Sequence, residues 1–246
     1  MVINNKLKKT VERRLYLQNN YAPKLRSLVE TRTDQLNFSV DQRNAAEKSM
    51  DALIWKLTAA GIHLERLWQF KESEMIKRLF ETVNENRIDP RCFTDNEVAY
   101  LTLEFEAFLI QARSFISIAQ IHTLHACGIP YNKLLTNEKY GKIIQKKPYP
   151  PDKLVNAKLY FDKNVFNENR WGFLLKSLRD RVIHYDRIRP TKFNIDDIEE
   201  LSVRGLSLEK LAQEFENGYN SLLVDVITPI WDRKWIPGPF RKDMWY

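Results

Sequence analysis

Four histidines stand in the 246-residue chain: His63, His122, His125 and His184. Histidine changes charge near neutral pH, so these positions come first in a search for proton transfer. His63 falls beside the apolar stripe of a long helical pattern and reads as structural. His122 and His125 are three apart on one helix face, with Cys127 close by. As metal ligands they lack partners at a C-x-x-C or H-E-x-x-H spacing, so no metal site is assigned. His184 differs in its company, the run Leu178-Arg179-Asp180-Arg181-Val182-Ile183-His184-Tyr185-Asp186-Arg187. At about 100° per residue, Trp171, Leu174, Leu175, Leu178 and Val182 gather on one helix face. Arg179 flanks that face, and Asp180 and His184 fall on the far side at i and i+4. A histidine so placed is either a surface residue of a charged helix end or a proton carrier beside an arginine and a carboxylate.

The second role has a definite chemistry. Arginine grips phosphate with a planar fork and stabilises developing negative charge. Histidine can move protons to and from oxygen at neutral pH. RNA supplies its own nucleophile, the 2′-hydroxyl, so cleavage there needs no metal. Arg179 and His184 are five residues apart, about 140° round an ideal helix. Their tips converge only if the helix loosens near His184, or if two copies meet across a two-fold axis and place two arginines and two histidines in one cleft.

The run from Leu178 to Tyr185 resembles the R-x(4)-H motif of the HEPN superfamily. The polar residue usual after the arginine is present as Asp180, and the Leu-Arg-Asp…His-Tyr-Asp-Arg surroundings are similar to abortive-infection-like members. The similarity is tight over about Asn164 to Arg189. It implies a helical bundle and a metal-independent endoribonuclease without a cofactor, of a toxin–antitoxin or antiviral defence type. It further implies RNA as substrate, a homodimer with a composite active site, and an antitoxin or regulatory protein as partner. Carried over by residue, Arg179 would bind and polarise the scissile phosphate. His184 would act as general acid or base, and Asp180 would orient either of them. Lys139, Lys142, Lys146, Lys147, Arg181, Arg187 and Arg189 would guide the RNA backbone. One branch of the family carries R-x(4)-H-x-Y; Asp186 stands at that last position here, so regulation through a modified tyrosine is not carried over. Some members have lost catalysis. The alternative is therefore a non-catalytic helical module that binds RNA or a protein partner, and a scaffolding bundle without a nucleic-acid role is the third reading.

These residues need elements to hold them. Lys plus Arg number 39 against 32 Asp plus Glu, and 43% of residues are hydrophobic, the balance of a folded globular chain. Seven glycines and ten prolines are few for an all-β protein, and neither G-x-G-x-x-G nor G-x-x-x-x-G-K-[ST] occurs. Two cysteines cannot build a disulfide framework. With no secretory pattern in Met1–Lys9 and no uninterrupted apolar run, a cytoplasmic protein without a membrane span is expected. Between Lys139 and Lys192 there are 14 Lys plus Arg against five Asp plus Glu, so the whole positive excess lies in one segment. That asymmetry points to a polyanionic partner.

Helical periodicity dominates the chain. Leu7, Val11, Tyr21, Leu25 and Leu28 give a loose N-terminal stripe. Ser39 and Gln42 predict a capping box for a long helix reaching about Val83. Thr94 and Glu97 predict another, ahead of a stripe from Leu101 to Ala119 that ends near Gly128 and Pro130. Tyr131 to Pro151 reads as a basic loop with at most one short helix. A further helix is expected from about Asn164 to Tyr185, then a loop or short hairpin over Arg187 to Gly205, then a last long helix capped by Ser207. The predicted fold is all-α: a single helical bundle of about five long helices, with a short irregular or hairpin insertion before the last one. It is one domain over 1–246, with a helical extension at 1–35, the motif-bearing bundle at 94–233 and an aromatic tail at 234–246. Residues 1 to about 90 carry no assignable motif.

Overall fold

The computed structural model describes residues 5–71, 96–133, 135–146, 151–168, 170–184, 202–203 and 206–231. Two long antiparallel helices form its spine, α3 (Val40–Lys71) and, in our numbering, α4 (Asn96–Ala126). Three cross-links fix their direction. Ser49 meets His122, Lys56 meets Gln111, and His63 meets Glu104, so rising numbers on one helix run against falling numbers on the other. Met50, Leu53, Leu57, Leu64 and Leu67 of α3 face Phe108, Ala112, Phe115 and Ala119 of α4, all buried.

One end of this pair is set by local chemistry that the sequence announces. Gln42 Oε1 accepts from the Ser39 N–H at 2.9 Å, and the Gln42 N–H reaches Ser39 Oγ at 3.3 Å, the reciprocal capping box. Helix α4 stops at Gly128, which takes φ +69°, a left-handed conformation that favours glycine. The Gly128 N–H donates to His125 O and the Ile129 N–H to Leu124 O, the two bonds that close such a terminus. The Gln42 side-chain amide then donates to Gly128 O at 3.0 Å, so one residue caps α3 and holds the end of α4.

On the α3 side lie α1 (Asn5–Tyr16) and α2 (Ala22–Gln35). Between them the chain widens to a π turn over Leu17–Tyr21, directly before Pro23, which has no N–H to continue the ladder. Leu17, Tyr21, Leu25, Leu28 and Val29 are buried, so the N-terminal extension belongs to the common core. Arg14 pairs through both its Nε and Nη2 with Glu65 on α3.

The segment after α4 departs from expectation. Within the basic loop lies the one short helix it allowed, α5 (Asn137–Gln145); the unexpected element is α6 (Asp152–Tyr160), which follows the loop and continues as a π turn over Phe161–Val165. The helix expected from about Asn164 begins instead as α7 at Trp171 and runs to His184. Prolines and lysines hide the reason at sequence level. Leu154, Ala157, Phe161 and Val165 form a buried stripe, but the π turn shifts its phase. Ser202–Val203 pairs antiparallel with Leu206–Ser207, in keeping with a hairpin before the last helix, α8 (Leu208–Leu222). A π turn over Leu223–Ile227 and a 3-10 turn over Pro229–Trp231 follow it. The extension of α3 toward Val83, the Thr94 cap and the aromatic tail at 234–246 lie outside the described residues. No described helix is long and apolar enough to cross a membrane.

The C-terminal turn locks onto the spine through His122, which is fully buried. The Trp231 indole N–H donates to His122 Nε2 at 3.0 Å, which leaves the proton on Nδ1, facing Ser49 Oγ at 2.9 Å. Burial, and then the nearby His125, push the His122 pKa down to about 3, against a weaker opposing bond to the Ala46 backbone. Because its folded pKa lies below the ordinary value of 6.5, the unfolded chain binds more protons as pH falls from 6.5 toward 3. The stability that neutral His122 contributes is complete above that window and drains away within it. The unfolding free energy of the wild type, read from urea titrations, should therefore fall between these limits by roughly a few kcal/mol. His122→Gln should flatten that part of the profile; equal slopes for both proteins would show that another group drives the loss.

Candidate functional site

Helix α7 is positioned by its first residue. The Trp171 ring packs against Phe215 of α8 at 6.1 Å between centroids. It also lies over Gly218, where an added Cβ would come within 2.3 Å of the indole. Leu175 and Leu178 are buried one and two turns further on. This seating turns Arg179 toward α4 and leaves Asp180 at the edge. Arg179 Nη1 donates to Asp180 Oδ1 at 2.7 Å, and both side chains keep about 37% of their surface.

Opposite them stands Arg113 of α4, a residue that the motif does not contain. It is only 9% exposed. Its Nη1 donates to Ser117 Oγ at 2.8 Å, and its guanidinium carbon lies 5.3 Å from the centre of the Phe166 ring. Phe166 is held there by its N–H bond to Phe161 O, which closes the π turn. Burial, and then repulsion from Arg179, lower the Arg113 pKa to about 10, while Asp180 works the other way. Arg113 thus remains charged at neutral pH. Asp180 is bonded to Arg179 and acts on Arg113 only through space, so two guanidiniums stand near one carboxylate and a positive excess sits at the seam of α4 and α7. A phosphate is the complement of such a site.

Of the other residues singled out in the sequence, Lys139, Lys142 and Lys146 are exposed on or next to α5. That helix is pinned to the far part of α4: Tyr140 OH meets Thr123 Oγ1 at 2.7 Å, and Gln120 donates to Asn137 at 2.8 Å. Thr123 lies ten residues beyond Arg113, about 15 Å along the helix axis. The lysines therefore form a flank of the arginine site and do not join it. Lys142 is also paired with Glu138. The backbone of α7 stays helical through Arg181 and His184, whose side chains lie outside the described residues, as do Lys147, Arg187 and Arg189 altogether. Because α7 is unbroken, Arg179 and position 184 remain about 140° apart. Up to His184 the backbone does not loosen, and the residues that follow it lie outside the described ones.

The remaining histidines have local partners. His63 Nδ1 meets Glu104 Oε2 at 2.6 Å, and Arg66 donates to the other oxygen at 3.1 Å. Burial would raise the Glu104 pKa, but His63, Arg66 and Tyr100 together outweigh it and hold the carboxyl below its usual range. His125 Nε2 lies 2.9 Å from Tyr131 O. Among the described residues no group of three or more His, Cys, Asp or Glu is placed to hold a metal ion.

No family model, no curated protein and no solved structure matches the chain.

Arg113 is visible in the sequence only as a charge interrupting the strongest apolar stripe, and a buried arginine is rare unless it is paired. Its burial beside a second arginine carries a desolvation cost that an apolar residue of similar reach would not. Arg113→Met should therefore leave the thermal midpoint unchanged or raise it. Loss of more than about 3 kcal/mol of stability would instead assign Arg113 to holding the fold.

Proposed function

We propose that the chain is a metal-independent endoribonuclease of HEPN type, acting in a toxin or defence setting, with its phosphate seat at Arg179 and Arg113. The observation that carries this reading is that Arg113, buried on α4, lies within electrostatic reach of Arg179 and Asp180 on the helix that ends at His184. An anion seat and a proton carrier on one short helix are what RNA cleavage requires.

The continuous helix separates Arg179 from position 184, so the reading needs two copies with their α7 helices facing. In that cleft one His184 takes the 2′-hydroxyl proton as the 2′-oxygen attacks phosphorus. The other gives a proton to the leaving 5′-oxygen. The products are a 2′,3′-cyclic phosphate, or its hydrolysis product, and a 5′-hydroxyl. Arg179 holds the non-bridging oxygens, and Asp180 fixes the plane of its guanidinium. Arg113 adds charge from a buried position, where it is worth more than in water. Lys139, Lys142 and Lys146 draw the strand along the flank.

The Arg179–Asp180 bond also favours a second reading, a non-catalytic module that binds RNA or a protein partner. A carboxylate already on the arginine must share it with any phosphate that arrives.

Cleavage of total cellular RNA in EDTA separates the two. Wild type should cut, and Arg179→Ala and His184→Ala should each lose at least about 100-fold in rate. His184→Ala should still bind RNA, with affinity that falls as salt rises. Folded wild type that binds RNA and never cuts it would give the site to the second reading.

A further inference from the structure

Helices α3 and α4 pack their inner sides into the core, and their outer sides form a second face. On α3 this face runs through Ala45, Lys48, Ala52, Trp55, Ala59 and Ile62, all within about a 100° arc. On α4 it runs through Leu103, Ala107, Ile110, Ser114, Ile118 and Ile121. Trp55 is 65% exposed and Leu103 is 62% exposed. From Ala52 to Ile62 on α3 and from Ala107 to Ile121 on α4, the residues of these two strips carry no charge. At one end of the face lies an open cleft of about 760 Å³, lined by Ala45, Lys48, Ala52, Ile118 and Ile121 and by the loop at 130–133. It has room for an indole, and Asp41, Asn44 and Asn132 at its wall offer acceptors to an indole N–H.

We infer that this face binds a second copy of the chain, each Trp55 entering the other copy's cleft. The geometry is self-complementary. Knob and hole lie on one face, with Trp55 about 10 Å along α3 from the middle of the cleft. A two-fold axis near Ala52 exchanges them, so that one operation fills both clefts, as an isologous contact requires. The size also fits. Two neighbouring helices over residues 41–66 present a footprint of roughly 40 Å by 20 Å, close to the ~800 Å² per partner of a stable interface. An aromatic anchor beside the uncharged strip from Ala52 to Ile62, with the charged Asp41 and Lys48 set toward the cleft, is the composition of an interface core with a polar rim. The contact uses no residue of α7 and stands whether or not the chain cuts RNA. If α7 also pairs, as the composite cleft requires, the two contacts close into a tetramer when their two-fold axes cross at right angles.

Sedimentation of the full chain at micromolar concentration tests this. Wild type should be dimeric or tetrameric. Trp55→Asp should weaken the contact at least about 30-fold, giving monomer or dimer respectively, with an unchanged circular dichroism spectrum. A second measurement does not depend on that variant. In a chain with Cys92 and Cys127 replaced by Ser, Trp55→Cys and Ala45→Cys are placed on separate molecules and mixed. The two positions lie about 15 Å apart within one helix, beyond the ~7 Å limit of a disulfide, so a cross-link joins two chains. The mixture should cross-link and neither protein alone should. Monomeric wild type, an assembly that Trp55→Asp leaves intact, or no cross-link in the mixture would each overturn the inference.

Discussion

The antiparallel contact between α3 and α4 is the constraint on which the other elements depend. Neither helix could bury its apolar stripe alone, and each offers the other a surface nearly its whole length. Their register is held at both ends and in the middle by polar links, Ser49 to His122, Lys56 to Gln111 and His63 to Glu104. A sliding pair of apolar helices has many near-equal registers; buried polar pairs remove most of them, because each slip would leave a donor or acceptor unpaired. With the register fixed, α1 and α2 have a defined floor on α3, and α7 and α8 have one on α4. The arginine site follows from that. Arg113 faces Arg179 because α4 sets its height and Trp171 sets the height of α7.

Much of this was legible in the residues, and what was not has a physical cause. Ser39, Gln42 and Gly128 announce their roles because capping and left-handed geometry are local, decided within four or five residues. The stripe from Leu101 to Ala119 is legible because burial on one side repeats at the helical period. Arg179 and Asp180 are legible as a site because they are adjacent in sequence. The π turns are not, since they insert a residue into a ladder whose period is the signal being read. For this reason Leu154 to Val165 looks irregular although Leu154, Ala157, Phe161 and Val165 are buried. Arg113 is not legible as a functional residue because its meaning comes from a helix 66 positions away in the chain. Within its own helix it is an interruption.

The site shows how an unfavourable arrangement is kept. Two like charges stand within electrostatic reach of one another at the edge of a core, one of them buried, and the carboxylate bonded to the other is partly open to water. The aromatic face of Phe166 and the hydroxyl of Ser117 offset some of that cost. Two guanidiniums beside one carboxylate leave an excess of positive charge, the condition under which an anionic ligand gains most from arriving.

The bonds that close the bundle join its two ends. Thr10 meets Glu216, Tyr21 meets Thr228, and Arg32 holds Trp231 O, at sequence separations of 206, 207 and 199. A ribosome making this chain releases α1, α2 and the spine long before their last partners exist. Until Trp231 emerges, the His122 ring has no indole donor, and the groove beneath α1 lacks α8. The nascent protein must therefore spend most of its synthesis with an apolar trough open. Such a chain places an early demand on chaperones, and a message truncated before the codon for Trp231 would yield a product that cannot shut.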